Sequence, residues 1–411
     1  MKIKLTLKSF VISASLAMVA VIIVAFSILA AVTYKPVAAF YGISEKNQEA
    51  IVSVLQRSVK TGKKSVPFKI VTLDDNLSLE KALKKSKADL LFVEKGLNCE
   101  YAQKKAEKRH TGLSETVLDG MISQVVKVAP LSKGKVTAVP LLMDNYELIV
   151  NLEKYNASSV DKLVTIEEAE NLAKITKSST PYRFVFASGD DKEFIDIFGA
   201  FVEVTAGKAA YDSAVNKIRQ NIASGKSSFN SYVELINELS MNGGEFSEAV
   251  ALLSKWKQAE ILPKNISNIQ LRDIKSFAAS NLCTMAVISL SDHRSFDRSI
   301  ISQYGSTFIP SLKEGDKRSF CVPLIMGLPL SKNKTVQTAL YKLADGLQSD
   351  LSFSTGLAPV QSKVAVPDVQ ADDVRFWVAA SETPSVPLSS ALFVTKQQRA
   401  VFAEALRMVI R

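Results

Sequence analysis

Cysteine, histidine and tryptophan are scarce in this chain of 411 residues, which has three, two and two of them. Cys99, Cys283 and Cys321 are too few for a disulfide framework and lack metal-ligand spacing. Cys283 and Cys321 could pair in an exported protein; two buried free thiols are the alternative. His110 follows Lys108-Arg109 in a polar helical run and reads as a surface residue, and neither it nor His293 has a local metal partner. Ser291, Asp292 and His293 coincide, but near neighbours on one turn do not point together, and a triad is assembled in space. No GxSxG, HExxH or CxxC occurs. Gly62-Lys63-Lys64-Ser65 ends like a P-loop, but Arg57 stands where the leading glycine belongs. No catalytic residue, no metal site and no cofactor is expected.

What is present begins with a long apolar run. Lys2, Lys4 and Lys8 precede Phe10 to Val32, which spans 23 residues without a charge. That is long enough to cross a bilayer as a helix, and its lysine flank is of the kind that directs export. A cleaved signal peptide is the alternative, with small-residue sites at Ala25-Phe26-Ser27 and Val37-Ala38-Ala39. Residues 1–39 are therefore read as a signal peptide or signal anchor. The remainder is placed outside the cytoplasmic membrane, in the periplasm or at the cell surface. It is too long for one ordinary core and suits two domains. The composition, 47% apolar and 22% charged, is that of a folded globular protein. The net charge of +10 comes from dispersed lysines that often alternate with acids, without the aromatic interleaving that nucleic-acid stacking requires. A solvated basic surface is expected, and no nucleic-acid partner.

Helical and strand periods then alternate. Ser44 can cap a helix carrying Ile51, Val52, Leu55 and Val59. A strand over 68–73, a helix over 78–87 and a strand over 89–93 follow. This order predicts a mostly parallel sheet with helices on its faces. Thr165 to Glu168 is a capping box, 183–187 a strand, and Phe246, Val250, Leu253 and Trp256 an apolar helical stripe. Trp256 on that stripe reads as core. A terminal helix, capped by Thr395 with Gln398 at the capping-box position, carries Val401, Phe402, Leu406 and Val409.

The most informative stretch is Ala138 to Asn151. Asp144, Asn145 and Tyr146 stand just ahead of the apolar run Leu148 to Val150. Polar groups carried into an interior need partners, and a ligand or a hinge between lobes supplies them. The "VP", the polar and aromatic cluster and the "L-x-x-N" of this stretch resemble the first interlobe crossover of extracellular solute-binding proteins of ABC importers, family 1, the sugar-binding-like group. Phe277 to Met285 is similar to that family's "F-x-x-G-x-x-A-M" segment, with Asn281 in the glycine position and Thr284 in an alanine position. Gly327 to Lys334 resembles its "G-x-x-I-S-K-x-S-K" strand, and Thr355 to Pro359 its "T-G-x-x-P" turn.

The resemblance implies an α/β, two-lobed, type II periplasmic-binding-protein-like fold behind an N-terminal transmembrane or signal helix. Each lobe would be a central, mostly parallel sheet flanked by helices. Lobe 1 would comprise 40–146 plus about 288–332, and lobe 2 147–287 plus about 333–411, with crossovers near 143–148 and 285–290. A small ligand, a sugar in this family, would be captured in the cleft by a monomer and delivered to an ABC permease. Asp144 and Tyr146 offer a planar polar group and a ring, with Asn145 between them; Trp377 would supply a ring from the second lobe. Ser188, Asp190, Asp74 and Glu94 qualify by position, since ligands sit beyond the carboxyl ends of strands. For Asp144, Tyr146 and Trp377 the plainer alternative is hinge bonding or core packing. A membrane-anchored ligand sensor of the same fold is the rival function, and an extracellular hydrolase using His293 the second.

Overall fold

The computed structural model describes residues 34–58, 60–61, 64–65, 68–155, 165–312, 322–345, 348–362 and 385–410. The apolar run 10–32, Cys321 and Trp377 lie outside them. No helix among the described residues is long and apolar enough to cross a membrane.

Two mixed sheets of six and four strands organise the molecule. In chain order the strands are β1 (Val37–Tyr41), β2 (Lys69–Thr72), β3 (Leu90–Glu94), β4 (Val139–Met143), β5 (Tyr146–Asn151), β6 (Tyr182–Phe186), β7 (Cys283–Ser289), β8 (Tyr304–Thr307), β9 (Leu324–Pro329) and β10 (Ala358–Pro359). The first sheet runs β10-β4-β9-β3-β1-β2 and the second β6-β7-β5-β8. Helices used below are α1 (Glu45–Ser58), α2 (Leu79–Ser86), α3 (Leu97–Arg109), α4 (Ile166–Ile175), α5 (Asp191–Ala206), α6 (Lys208–Ala223), α7 (Phe229–Ser240), α8 (Ser247–Gln258), α9 (Leu271–Ala279), α10 (Lys334–Asp345), α11 (Gln348–Thr355), α12 (Leu388–Leu392) and α13 (Lys396–Ile410).

Each sheet has its own core. Leu90 to Val93 is a continuous apolar run because β3 is buried on both faces, as central strands of helix-covered sheets are. Phe92 stacks on Phe40 of β1 with ring centroids 4.8 Å apart. In the second lobe Trp256 of α8 is fully buried, and its indole N–H donates to Glu170 of α4 at 2.9 Å. The capping box is formed: Thr165 N donates to Glu168 Oε2 at 2.8 Å, and Glu168 N to Thr165 Oγ1 at 3.3 Å.

Three expectations change. The pairing is mixed: β1 is parallel to β2 and β3, and β6 to β7, but β9 is antiparallel to β3 and β4, and β5 to β7 and β8. The antiparallel pairs come from strands on which the chain passes between lobes, since a returning strand enters the sheet in the opposite sense.

The lobe boundaries differ too. Residues 304–307 pair with β5 in the second sheet, so the return to the first lobe comes after β8 and not at 285–290. Val336, Ala339, Leu340 and Leu343 of α10 lie in the first core, not the second. Four residues between β9 and α10 cannot carry the helix to another lobe. Gly327 marks their contact, because a Cβ there would meet Leu340 Cδ2 at 2.5 Å. Among the described residues after α10, α12 and α13 rejoin the second core, through Leu388, Phe393, Phe402 and Leu406.

Finally, Val37 to Ala39, read above as the end of a leader, belongs to the fold. It is the first part of β1, hydrogen-bonded between β2 and β3, with Ala38 and Ala39 inaccessible to solvent.

Candidate ligand-binding cleft

The hinge is built from two passes of chain. Asp144 and Asn145 join β4 to β5, and the end of β7 turns beside them at Ser289 to Ser291. Leu290 N donates to Asn145 O at 2.8 Å, and Leu290 packs in the first lobe's core although β7, which it directly follows, belongs to the second sheet. Asp144 holds this contact: Oδ1 accepts from Asn145 N at 2.9 Å and Ser291 N at 3.1 Å, and Oδ2 from Ser291 Oγ at 2.5 Å. Burial pushes the Asp144 carboxyl up to about 6; the Ser291 hydroxyl bond opposes this and the neighbouring Asp292 adds to it. The Asn145 side chain is inaccessible to solvent, and neither amide heteroatom has a partner.

Beyond the hinge a polar network crosses from lobe to lobe. α5 opens at Asp191 directly after β6, so its first turns face the end of β3. Lys192 Nζ lies 3.3 Å from Glu94 Oε1 across the lobes and 3.1 Å from Asp196 Oδ2 one turn along α5. Tyr146 OH donates to Glu193 Oε2 at 3.0 Å and stands 3.4 Å from Asp196 Oδ2. α12 closes the ring: Ser389 N and Oγ donate to Asp196 at 2.8 and 3.0 Å, and Ser390 Oγ to Glu94 at 2.8 Å. Burial raises Glu193 to about 8, against the pull of Lys192. Burial also raises Tyr146 and Asp196 above their usual values, and the surrounding acids hold the Lys192 ammonium firmly charged against its own burial.

A cavity of about 30 Å³ adjoins this network, lined by Tyr41, Glu94, Asn98, Lys192, Ser390 and Arg399 among others. It has room for a water or two and not for a sugar. The C-terminal segment spans its rim. Val394 O receives Asn98 Nδ2 at 3.3 Å and lies 2.5 Å from Tyr41 Oη; Arg399 pairs with Asp75 at 3.2 Å. Gly96 abuts Ser390 so closely that a Cβ would stand 2.2 Å from its carbonyl oxygen.

Of the sequence candidates, the structure brings together Glu94 and Tyr146, with Asp144 and Asn145 at the adjoining hinge. It sets three apart. Ser188 Oγ donates to Ile266 O, and Asp190 Oδ2 accepts from Leu271 N at 2.9 Å, so both are spent tying the β6–α5 loop to the start of α9. Asp74 is exposed and accepts from Asn76 within its own turn. Sequence reading missed Lys192, Glu193, Asp196, Ser389 and Ser390. Asp196 was the available signal: a carboxylate among Phe194, Ile195, Ile197 and Phe198, on the apolar side of its helix.

The Ser291-Asp292-His293 coincidence resolves into separate bonds. Ser291 binds Asp144, while buried His293 Nδ1 lies 2.6 Å from Glu147 Oε1. Cys99 and Cys283 are buried free thiols, each pushed up to about 12 by burial. Among the described residues no group of three or more His, Cys, Asp or Glu is placed to hold a metal ion.

No protein-family model matches the chain, and no curated protein matches its sequence. Solved structures do match it. The bacterial solute receptor AcbH, described as having an exclusive preference for β-D-galactopyranose, superposes with a TM-score of 0.64 at 11% identity over 92% of this chain and 95% of its own. The chain has the two-lobed fold of ABC solute-binding proteins. A solute-binding protein from Agrobacterium radiobacter K84, solved with ribitol, gives 0.59 at 15% identity over 92% and 98%. The GacH receptor of Streptomyces glaucescens, solved unliganded and with acarbose, gives 0.55 at 14% identity over 92% and 99%. Identities this low carry the fold and not the ligand.

Proposed function

We propose that this chain captures a small hydroxyl-rich ligand, a sugar or polyol, between its lobes outside the cytoplasmic membrane. It is held there by residues 10–32 and delivers the ligand to an ABC permease. The observation that carries the reading is the network joining Glu94 of the first lobe to Lys192, Asp196 and Tyr146 of the second. Carboxylates, an ammonium and hydroxyls alternate there, which is the donor and acceptor mixture that hydroxyl groups need. The similar fold of AcbH, GacH and the ribitol-bound protein supports the same reading. With the lobes as they stand the adjoining cavity is water-sized, so ligand access requires Glu94 and Lys192 to separate, and the ligand would take over their bonds on closure.

The test is thermal unfolding of the full chain against a panel of monosaccharides, disaccharides, polyols, amino acids and inorganic anions. A stabilisation confined to hydroxylated ligands, lost in Lys192→Met, is expected. A response only to amino acids or anions, or none at all, overturns the reading. Uptake of the responding ligand should also fail when the chain is deleted; retained uptake would turn the reading towards a ligand sensor.

A further inference from the structure

The end of the first lobe opposite the cleft is cationic, and it is the end at which the apolar N-terminal run joins the fold. Tyr34, two residues beyond Val32, donates its hydroxyl to Asp89. Leu330 N donates to Asp89 O at 2.7 Å, and Arg109 Nη1 to Leu330 O at 2.9 Å. These bonds place the C-terminus of α3 beside the start of β1. There a surface cavity of about 500 Å³ is lined by Lys108 and His110 of the α3 terminus and by Lys133 and Lys135 of the hairpin formed by Leu131–Ser132 and Lys135–Val136, with Glu107 the one acid.

Complementing the negative end of a helix explains Lys108. It does not explain two lysines from another element. Lys133 and Gly134 form the hairpin tip with φ of 50° and 69°, a conformation that asparagine or glycine adopts at less cost. None of the three lysines has an ion-pair partner among the described residues. Lys35, Lys69 and Lys87 lie at the same end, ahead of β1, at the start of β2 and just after α2.

We propose that this end seats on the membrane surface and that the cavity of Lys108, Lys133 and Lys135 holds the phosphate headgroup of an anionic lipid. The proposal rests on the membrane tether of the functional reading and not on the cleft. A lysine near an anionic bilayer surface strengthens association about fivefold. Neutralising all three should therefore shift the seating equilibrium on the order of a hundredfold.

The test is hydrogen exchange of the full chain in vesicles of phosphatidylcholine alone and with one-third phosphatidylglycerol. Protection of the 131–136 hairpin in the anionic vesicles only is expected. It should vanish in K108Q/K133Q/K135Q and in high salt, and persist in K174Q/K226Q, which neutralises two exposed lysines of the other lobe. Equal exchange in both vesicles overturns the proposal. Protection by millimolar inorganic phosphate in neutral vesicles, to the same extent, overturns the lipid as its source. If the chain does not float with neutral vesicles, the tether fails; flotation with anionic vesicles then supports the basic end, and its absence overturns that as well.

Discussion

Asp144 and Ser291, 147 residues apart, are joined by two hydrogen bonds through which the two passes of the hinge hold each other. Removing the carboxylate leaves the buried N–H of Asn145 and the half-buried N–H of Ser291 without acceptors. Asp144→Ala should cost about 2–4 kcal/mol, read as a lower urea midpoint. Asp144→Asn keeps one acceptor oxygen and should cost less than half as much. Equal costs would show that the hinge depends on packing and not on these bonds.

Lys192 holds two carboxylates of different lobes. Lys192→Met should destabilise the protein by about 2 kcal/mol, since it leaves the fully buried Asp196 carboxylate without its cation. It should also expand the molecule in small-angle scattering. Glu94→Gln leaves the bond within α5 intact, so it should expand the molecule while costing only about 1 kcal/mol. An unchanged radius of gyration in both variants would mean that this ion pair does not hold the lobes together.

Stability should fall as pH rises. Glu193 binds its proton up to about pH 8 when folded, whereas the unfolded chain releases it near 4.5. The stabilising proton is thus fully bound below 4.5 and lost through 8. Asp144 adds a smaller fall of the same sign between 3.8 and about 6. Unfolding free energies from urea titrations at pH 5 and pH 8 should differ by on the order of a few kcal/mol. Glu193→Gln should remove most of that difference, and an undiminished slope would place the proton elsewhere.

At Gly327 the question is space. An added methyl meets Leu340 at 2.5 Å and Leu141 at 3.0 Å. Gly327→Ala should cost about 1–3 kcal/mol by overpacking, and Leu340→Ala in the same chain should recover part of it. Additive losses would refute direct contact.

Trp256 tests the buried end of the second core. Trp256→Phe keeps an aromatic ring, though a smaller one, and loses the N–H bond to Glu170, which Lys255 still pairs at 2.6 Å. A loss of about 1–2 kcal/mol is expected, measured by calorimetry. A loss above 3 kcal/mol would assign the cost to volume.

Much of the fold could be read from the chain because local signals agreed with the tertiary outcome. Apolar runs became central strands, the capping box at Thr165 formed, and the Trp256 stripe was core. β1 was lost because its small and aromatic residues follow directly on the apolar run and read as part of a leader. The lobe boundaries failed because α10 is apolar on one side whichever sheet it covers, and only the length of its connection to β9 decides. At the candidate site, the sequence pointed to Asp144, Tyr146 and Glu94 by their position ahead of apolar runs and at strand ends. It did not point to their partners Lys192, Glu193 and Ser389, since a charged first helical turn reads as an ordinary helix start.

β1 is bonded along its length to a parallel strand on each side, and its first residue lies only five positions beyond the apolar run. A pull on the N-terminus would run along the strand axis and load those rungs together, in shear. Opening them one after another, as at a frayed edge, is not available to it. The geometry makes the first sheet resist such a pull as a unit.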